Sequence, residues 1–170
     1  MKRIIVLGSS GAGKSQLSRR LGKLMNTEVF HLDSFFWQPG WKAINKDEFI
    51  NAQMKIVEED QWIIDGTYLS TLDIRYEKAD TIIFLEYPRV KCLYRAISRF
   101  LKYRGRKRPD MGKGCPEKID MEFLKYIWDF PKKNGRKIKA KLSEEEKRTV
   151  IHLTSQKETD EFLSNLESYM

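Results

Sequence analysis

The chain has 170 residues, 41% of them apolar, with nine Phe and four Trp, ample for one well-filled core and short for two domains. No run approaches the roughly 18 apolar residues of a membrane span, and the apolar stretch within MKRIIVLGSS is too short for a signal peptide, so a cytoplasmic protein is expected. Cys92 and Cys115 share no metal-type spacing and read as reduced thiols, while the net charge of +8 suits polyanions, whether nucleic acid or nucleotide phosphates.

Arg3 to Leu7 is a β-branched apolar run that reads as a buried strand ending at Gly8. A helix is predicted from Lys14 to Met25, with Leu17, Leu21 and Leu24 at helical spacing and Asn26 as its stop. Glu28 to Leu32 reads as a second strand. The stretch HLDSFFWQPGW, His31 to Trp41, then sets Phe35, Phe36, Trp37 and Trp41 around one carboxylate, Asp33, in a segment that Pro39-Gly40 marks as a turn. Four large rings in a loop either plug the edge of a core or line a pocket.

Asn45-x-x-Glu48 is a capping box ahead of Phe49, Met54, Ile56 and Val57. Trp62 to Ile64 forms a third strand, broken at Asp65-Gly66, and a short helix from Thr71 to Lys78 leads into a fourth strand, Thr81 to Glu86. Pro88 suits the first turn of the next helix, which carries Val90, Leu93, Ile97 and Leu101. The basic excess is concentrated beyond it: between Arg99 and Lys141 there are fifteen Lys or Arg against five Asp or Glu. Arg104 to Cys115 reads as a loop, Pro116 to Phe130 and Lys133 to Leu142 as helices, and Val150 to Leu153 as a fifth strand. Ser155-x-x-Glu158 caps a last amphipathic helix through Phe162, Leu163 and Leu166. Strand and helix alternate almost throughout, which predicts one α/β domain with a parallel sheet covered by helices on both faces.

Residues Gly8 to Ser15 read GSSGAGKS, a match to G-x-x-x-x-G-K-[ST] placed between a strand and a helix. Gly8, Gly11 and Gly13 let the backbone bend until successive N–H groups point at phosphate oxygens, and the helix that follows adds its positive end. The nucleotide-binding stretch is therefore Gly8, Ser9, Ser10, Gly11, Ala12, Gly13, Lys14, Ser15 and Gln16. Lys14 supplies a cation for the β and γ phosphates of ATP, and Ser15 a hydroxyl for Mg²⁺. Asp65, at the end of the third strand, is placed to hold a metal-bound water beside Ser15. Asp33 is a candidate base for an acceptor hydroxyl.

GSSGAGKSQLSRRLG, HLD, WIIDG and RAISR together resemble the adenylate-kinase-like P-loop kinases, a group that includes shikimate and gluconate kinases. The combination HLD-x-FFW-x-PGW, WIIDG, YRGRKRPDM and GCPEKID is similar, more narrowly, to bacterial DNA topology modulation proteins. The resemblance implies a three-layer P-loop NTPase sandwich with strand order 2-3-1-4-5, ATP as phosphoryl donor, Mg²⁺, and a basic lid at about residues 102–116. Carried over by position, Arg95 packs near the adenine and Arg99 reaches the phosphates, while Arg104, Arg106 and Arg108 swing over the transferring group. Adenylate kinases follow the third-strand Asp-Gly with an arginine that grips the acceptor phosphate. Here the run is DGTYLSTLDIR, and the nearest candidate is Arg75. The expected acceptor site comprises Asp33, Phe36, Trp37, Trp41, Gly66 and Arg75, and its expected ligand is a small molecule, a nucleoside or nucleotide foremost. Two other readings stay open at this point: an ATP-binding regulator that contacts DNA through Lys132, Lys133, Arg136 and Lys137, and an NTPase without an acceptor.

Overall fold

The computed structural model describes residues 1–103 and 114–169. In chain order these form β1 (Arg3–Gly8), α1 (Lys14–Met25), β2 (Val29–His31), α2 (Leu32–Phe36), β3 (Trp37–Gln38), β4 (Lys42–Ala43), α3 (Lys46–Val57) and β5 (Trp62–Asp65). A 3₁₀ turn (Leu69–Thr71) precedes α4 (Leu72–Lys78), β6 (Thr81–Leu85), α5 (Arg89–Tyr103) and α6 (Met121–Asp129). A π-helical turn (Pro131–Gly135) then leads to α7 (Arg136–Ser143), β7 (Thr149–Leu153) and α8 (Gln156–Ser168).

Five strands make one parallel sheet in the order β2-β5-β1-β6-β7. Counted within that sheet alone, this is the expected 2-3-1-4-5. The period of two along β1 separates its faces. Ile5 and Leu7 join Trp62, Ile64, Ile82 and Phe84 beneath α3, α4 and α7, whereas Ile4 and Val6 join Ile63, Ile83 and Leu85 beneath α1, α5, α6 and α8. All four β1 side chains have no exposed surface, and each contributes about 1.5–3 kcal/mol by leaving water. A strand buried on both faces has to be apolar at every position, which is why β1 shows no alternation in sequence.

Three expectations shift. The segment after β2 is not a loop: it winds into α2 and then a hairpin, β3–β4, turning at Pro39-Gly40. The helix expected from Pro116 begins at Met121, where Asp120 caps it by accepting from the Phe123 amide at 2.9 Å. Pro131 has no N–H to continue α6, and the helix expected from Lys133 begins only at Arg136, after a wider turn closed by Gly135 N donating to Phe130 O at 2.7 Å. Among the described residues no helix is long and apolar enough to cross a membrane.

Candidate nucleotide and acceptor site

The carboxyl ends of β1, β2 and β5 stop side by side, with Gly8, His31 and Asp65 as their last residues. In an open parallel sheet this is where ligands bind. A cavity of about 940 Å³ opens there, lined on one side by Ser10, Gly11, Gly13, Lys14, Ser15 and Gln16 and on the other by Asp33, Trp37, Trp41 and Tyr68.

Gly11 has φ +80°, and a Cβ there would run into the backbone carbonyl of Cys92 on α5, so only glycine lets the loop lie this close to the helix. Lys14 Nζ donates to Gly8 O and Ser9 O, each at 3.1 Å, which holds the cation over the cradle. Gly8, Ser9 and Ala12 form the loop's underside. The Gly8 amide donates to Thr67 Oγ1 at 3.1 Å, and the Thr67 hydroxyl donates back to Gly8 O at 2.7 Å. Ala12 is buried and its amide donates to Ser9 O.

Asp65 is 5% exposed, and its Oδ2 lies 2.7 Å from His31 Nδ1. With Ser15 lining the same cavity, a hydroxyl and one carboxylate flank the glycine-rich loop. That donor set fits Mg²⁺, which takes most of its ligands from water and phosphate and needs few from protein. Among the described residues no cluster of three or more His, Cys, Asp or Glu could hold a metal by itself.

On α5, Arg95 lies over the Tyr87 ring at 5.1 Å and donates to Gln156 Oε1 at 2.7 Å, tying the helix to the start of α8. Arg99 Nε donates to Glu117 Oε1 at 2.7 Å. Both arginines face the cavity. Arg104, Arg106 and Arg108, and with them most of the expected lid, lie outside the described residues.

The aromatic stretch divides. Phe35 and Phe36 pack against the core, the Phe36 ring lying 5.0 Å from Phe49 and 4.9 Å from Tyr68. Trp37 and Trp41 meet edge to face at 5.4 Å and line the cavity beside Asp33. Asp33 Oδ1 accepts from the Tyr68 hydroxyl at 2.7 Å. Burial, reinforced by that carboxylate, pushes the Tyr68 phenol far above its usual range, so it stays a donor and holds Asp33 in one orientation.

Gly66 reaches the cavity; Arg75 does not. Arg75 is fully buried, donating to Gly66 O at 3.1 Å, to Thr71 Oγ1 at 3.4 Å and to Gln53 Oε1. Burial, with no carboxylate partner among the described residues, pushes its guanidinium down to about 9. It is a strut under the Asp65-Gly66-Thr67 bend. Sequence reasoning passed over Thr67, Tyr68 and Glu117. Thr67 and Tyr68 at least sit directly after Asp-Gly, where a side chain has to face the neighbouring strand ends.

A scan against protein-family models finds no match, and a search of the curated proteins finds none either. Solved structures do match over essentially the whole chain. Shikimate kinase from Bacteroides thetaiotaomicron superposes with a TM-score of 0.60 at 16% identity, covering 99% of this chain and 97% of that one. Deoxyadenosine kinase from M. mycoides, solved with the products dCMP and dCDP, gives 0.53 at 18% identity, covering 98% and 99%. Shikimate kinase from Acinetobacter baumannii, in complex with shikimate, gives 0.55 at 12% identity, covering 99% and 92%. With a five-stranded parallel sheet, helices on both faces and a glycine-rich loop closing β1, the chain has the fold of the P-loop small-molecule kinases.

Proposed function

We propose that this protein transfers the γ-phosphoryl group of Mg-ATP to a hydroxyl of a small, ring-bearing acceptor. The observation that carries the reading is that one cavity holds both the Lys14–Ser15 cradle and the Asp33–Tyr68 pair. ATP lies with its phosphates on the amides of residues 10–16 and its base toward Arg95 and Tyr87. Ser15 and Asp65 would hold Mg²⁺, which would supply neutralisation of the phosphate charge. Asp33 orients the acceptor hydroxyl and takes its proton as the oxygen bonds to the γ-phosphorus and the bond to the leaving ADP oxygen breaks. Lys14 and Arg99 meet the charge that spreads over the equatorial oxygens.

The same wall selects the acceptor. Trp37 and Trp41 offer ring faces, and Asp33 repels an anion. Arg75 is withdrawn into the core, and Lys118 is paired with Asp120 at 3.0 Å. The described residues thus favour an uncharged ring compound, a nucleoside-like alcohol, over a carboxylate or a nucleotide. The likeness to shikimate kinase and deoxyadenosine kinase supports small hydroxyl acceptors in general. Of the four residues that the nucleic-acid alternative invokes, Lys133 is paired with Asp129, and the neighbouring Lys139 and Lys141 are paired with Glu86 and Asp73, which lowers the charge this run offers to a polyanion. The narrower likeness to DNA topology modulation proteins implies an effect on DNA and identifies no reaction.

The test is Lys14→Ala together with an acceptor screen under Mg-ATP across nucleosides, nucleotides and hydroxy acids. The variant is expected to lose about a hundredfold or more in Mg-ATP affinity, and the parent to phosphorylate uncharged ring alcohols. Equal Mg-ATP binding by variant and parent refutes the phosphate-cradle assignment.

A further inference from the structure

We infer that Glu117 is a positioning residue for Arg99, and that the β3–β4 hairpin sets Glu117 through a clasp. The acceptor wall and the phosphate-side arginine thereby move as one unit. The inference rests on the proposed reading of the cavity as a Mg-ATP and acceptor site.

The clasp joins the hairpin to residues 114–116. Gly40 N donates to Gly114 O at 3.0 Å, Trp41 Nε1 donates to Pro116 O at 3.0 Å, and Cys115 Sγ donates to Gln38 O at 3.1 Å. The fit is close: Gly114 has φ +80°, and a Cβ there would come within 2.8 Å of Pro39 Cβ. Trp41 itself has φ +62°, a left-handed conformation that is unfavourable for a bulky residue. Its indole bond to Pro116 and its contact with Trp37 hold it there. The cavity wall is thus kept in an otherwise unfavourable shape by the segment it grips.

The next residue after that segment is Glu117. Its side chain is 4% exposed and takes the Nε–H of Arg99. Binding a guanidinium at Nε fixes its plane and leaves the terminal nitrogens to point along the cavity, where Arg99 is expected to meet the γ-phosphate. A shift of the hairpin then passes through the clasp to Glu117 and so to Arg99. By linkage, whatever settles on Trp37 and Trp41 changes ATP affinity by the same factor as ATP changes its own.

The experiment needs no acceptor. Calorimetric titrations with Mg-ATP and with Mg-ADP are run on the parent, Glu117→Gln, Trp41→Phe and the double variant. Removing the charge from the Arg99 bond is expected to weaken Mg-ATP about tenfold. Trp41→Phe keeps the ring and deletes only the indole donor, and is expected to weaken it about threefold. Mg-ADP affinity should stay within about twofold in both. The double variant should match Glu117→Gln alone, because the hairpin acts through Glu117. The inference is overturned if folded Trp41→Phe binds Mg-ATP as the parent does, if Mg-ATP and Mg-ADP weaken equally, or if the two effects multiply. Should Trp41→Phe fail to fold, Gly114→Ala, which pushes on Pro39, is read by the same criteria. A parent that binds neither nucleotide refutes the phosphate-cradle assignment itself, and the coupling with it.

Discussion

Arg75, which the sequence offers as an acceptor ligand, is a buried strut in the structure, and its removal should cost little stability. The perturbations are Arg75→Met and Gln53→Leu. Depression of the guanidinium to about 9 corresponds to a burden of about 5 kcal/mol on its charged form. The two best bonds it makes, to Gln53 Oε1 and Gly66 O, return about 1.5–3 kcal/mol each. These contributions nearly offset, so replacing Arg75 by a residue of similar length is expected to change stability by no more than about 2 kcal/mol. Gln53→Leu removes the acceptor while leaving the cation buried, and also deletes the bond from Gln53 Nε2 to Phe49 O at 3.1 Å. That loss should come to about 3–5 kcal/mol. The double variant should then be more stable than Gln53→Leu alone. Urea unfolding at pH 7 reads all three, with Mg-ATP binding as a control for the site. If Arg75→Met proves more damaging than Gln53→Leu, the cation is a net stabiliser and the argument from desolvation fails.

Other outcomes follow from single contacts. Thr67→Val keeps shape but strands the Gly8 amide and leaves Gly8 O with Lys14 Nζ as its donor, and should cost about 1–3 kcal/mol in the same unfolding assay. Asp33→Asn preserves an acceptor for the Tyr68 hydroxyl and removes the base. Turnover of an accepted alcohol should fall about 10²–10⁴-fold with Mg-ATP affinity retained, and a loss under tenfold would remove Asp33 from the chemistry. Glu145 is held down at about 2 by the Tyr76 hydroxyl first, with the Lys147 and Arg148 amides and the Arg148 side chain adding to it. Because its folded value lies below its ordinary 4.5, its contribution is complete above that value and is lost as the pH falls toward 2. Melting temperatures across that window should therefore drop less for Glu145→Gln than for the parent.

Much of the fold was legible because its signals are local. A β-branched run buried on both faces can only be a central strand, and GSSGAGKS carries its own chemistry wherever a strand precedes it and a helix follows. What escaped depends on pairings distant in sequence. Whether Arg75 faces ligand or core is decided by Gln53 on α3, and no spacing within DGTYLSTLDIR shows that. The split of the aromatic stretch is similar. Phe36 turns inward because Phe49 and Tyr68 offer it a seat, while Trp41 stays at the cavity because residues 114–116 grip its indole nitrogen. The role of Tyr68 rests on Asp33, 35 positions away in sequence, accepting from its hydroxyl. The short hairpin was hidden for another reason: its strands are two residues each, too brief for any periodicity to register.

The junction between α5 and α8 has a consequence for how the protein comes into being. The glycine-rich loop is encoded in residues 8–16, yet Arg95 is steadied by Gln156, and Tyr87 is steadied by Ser155 O at 2.9 Å and Thr159 Oγ1 at 2.7 Å. A growing chain therefore lacks the partners of this loop when the loop itself is made: Thr67 and the Cys92 turn of α5 come later, and the α8 contacts that steady Arg95 and Tyr87 later still, so the loop and α5 reach their folded arrangement only once α8 has docked.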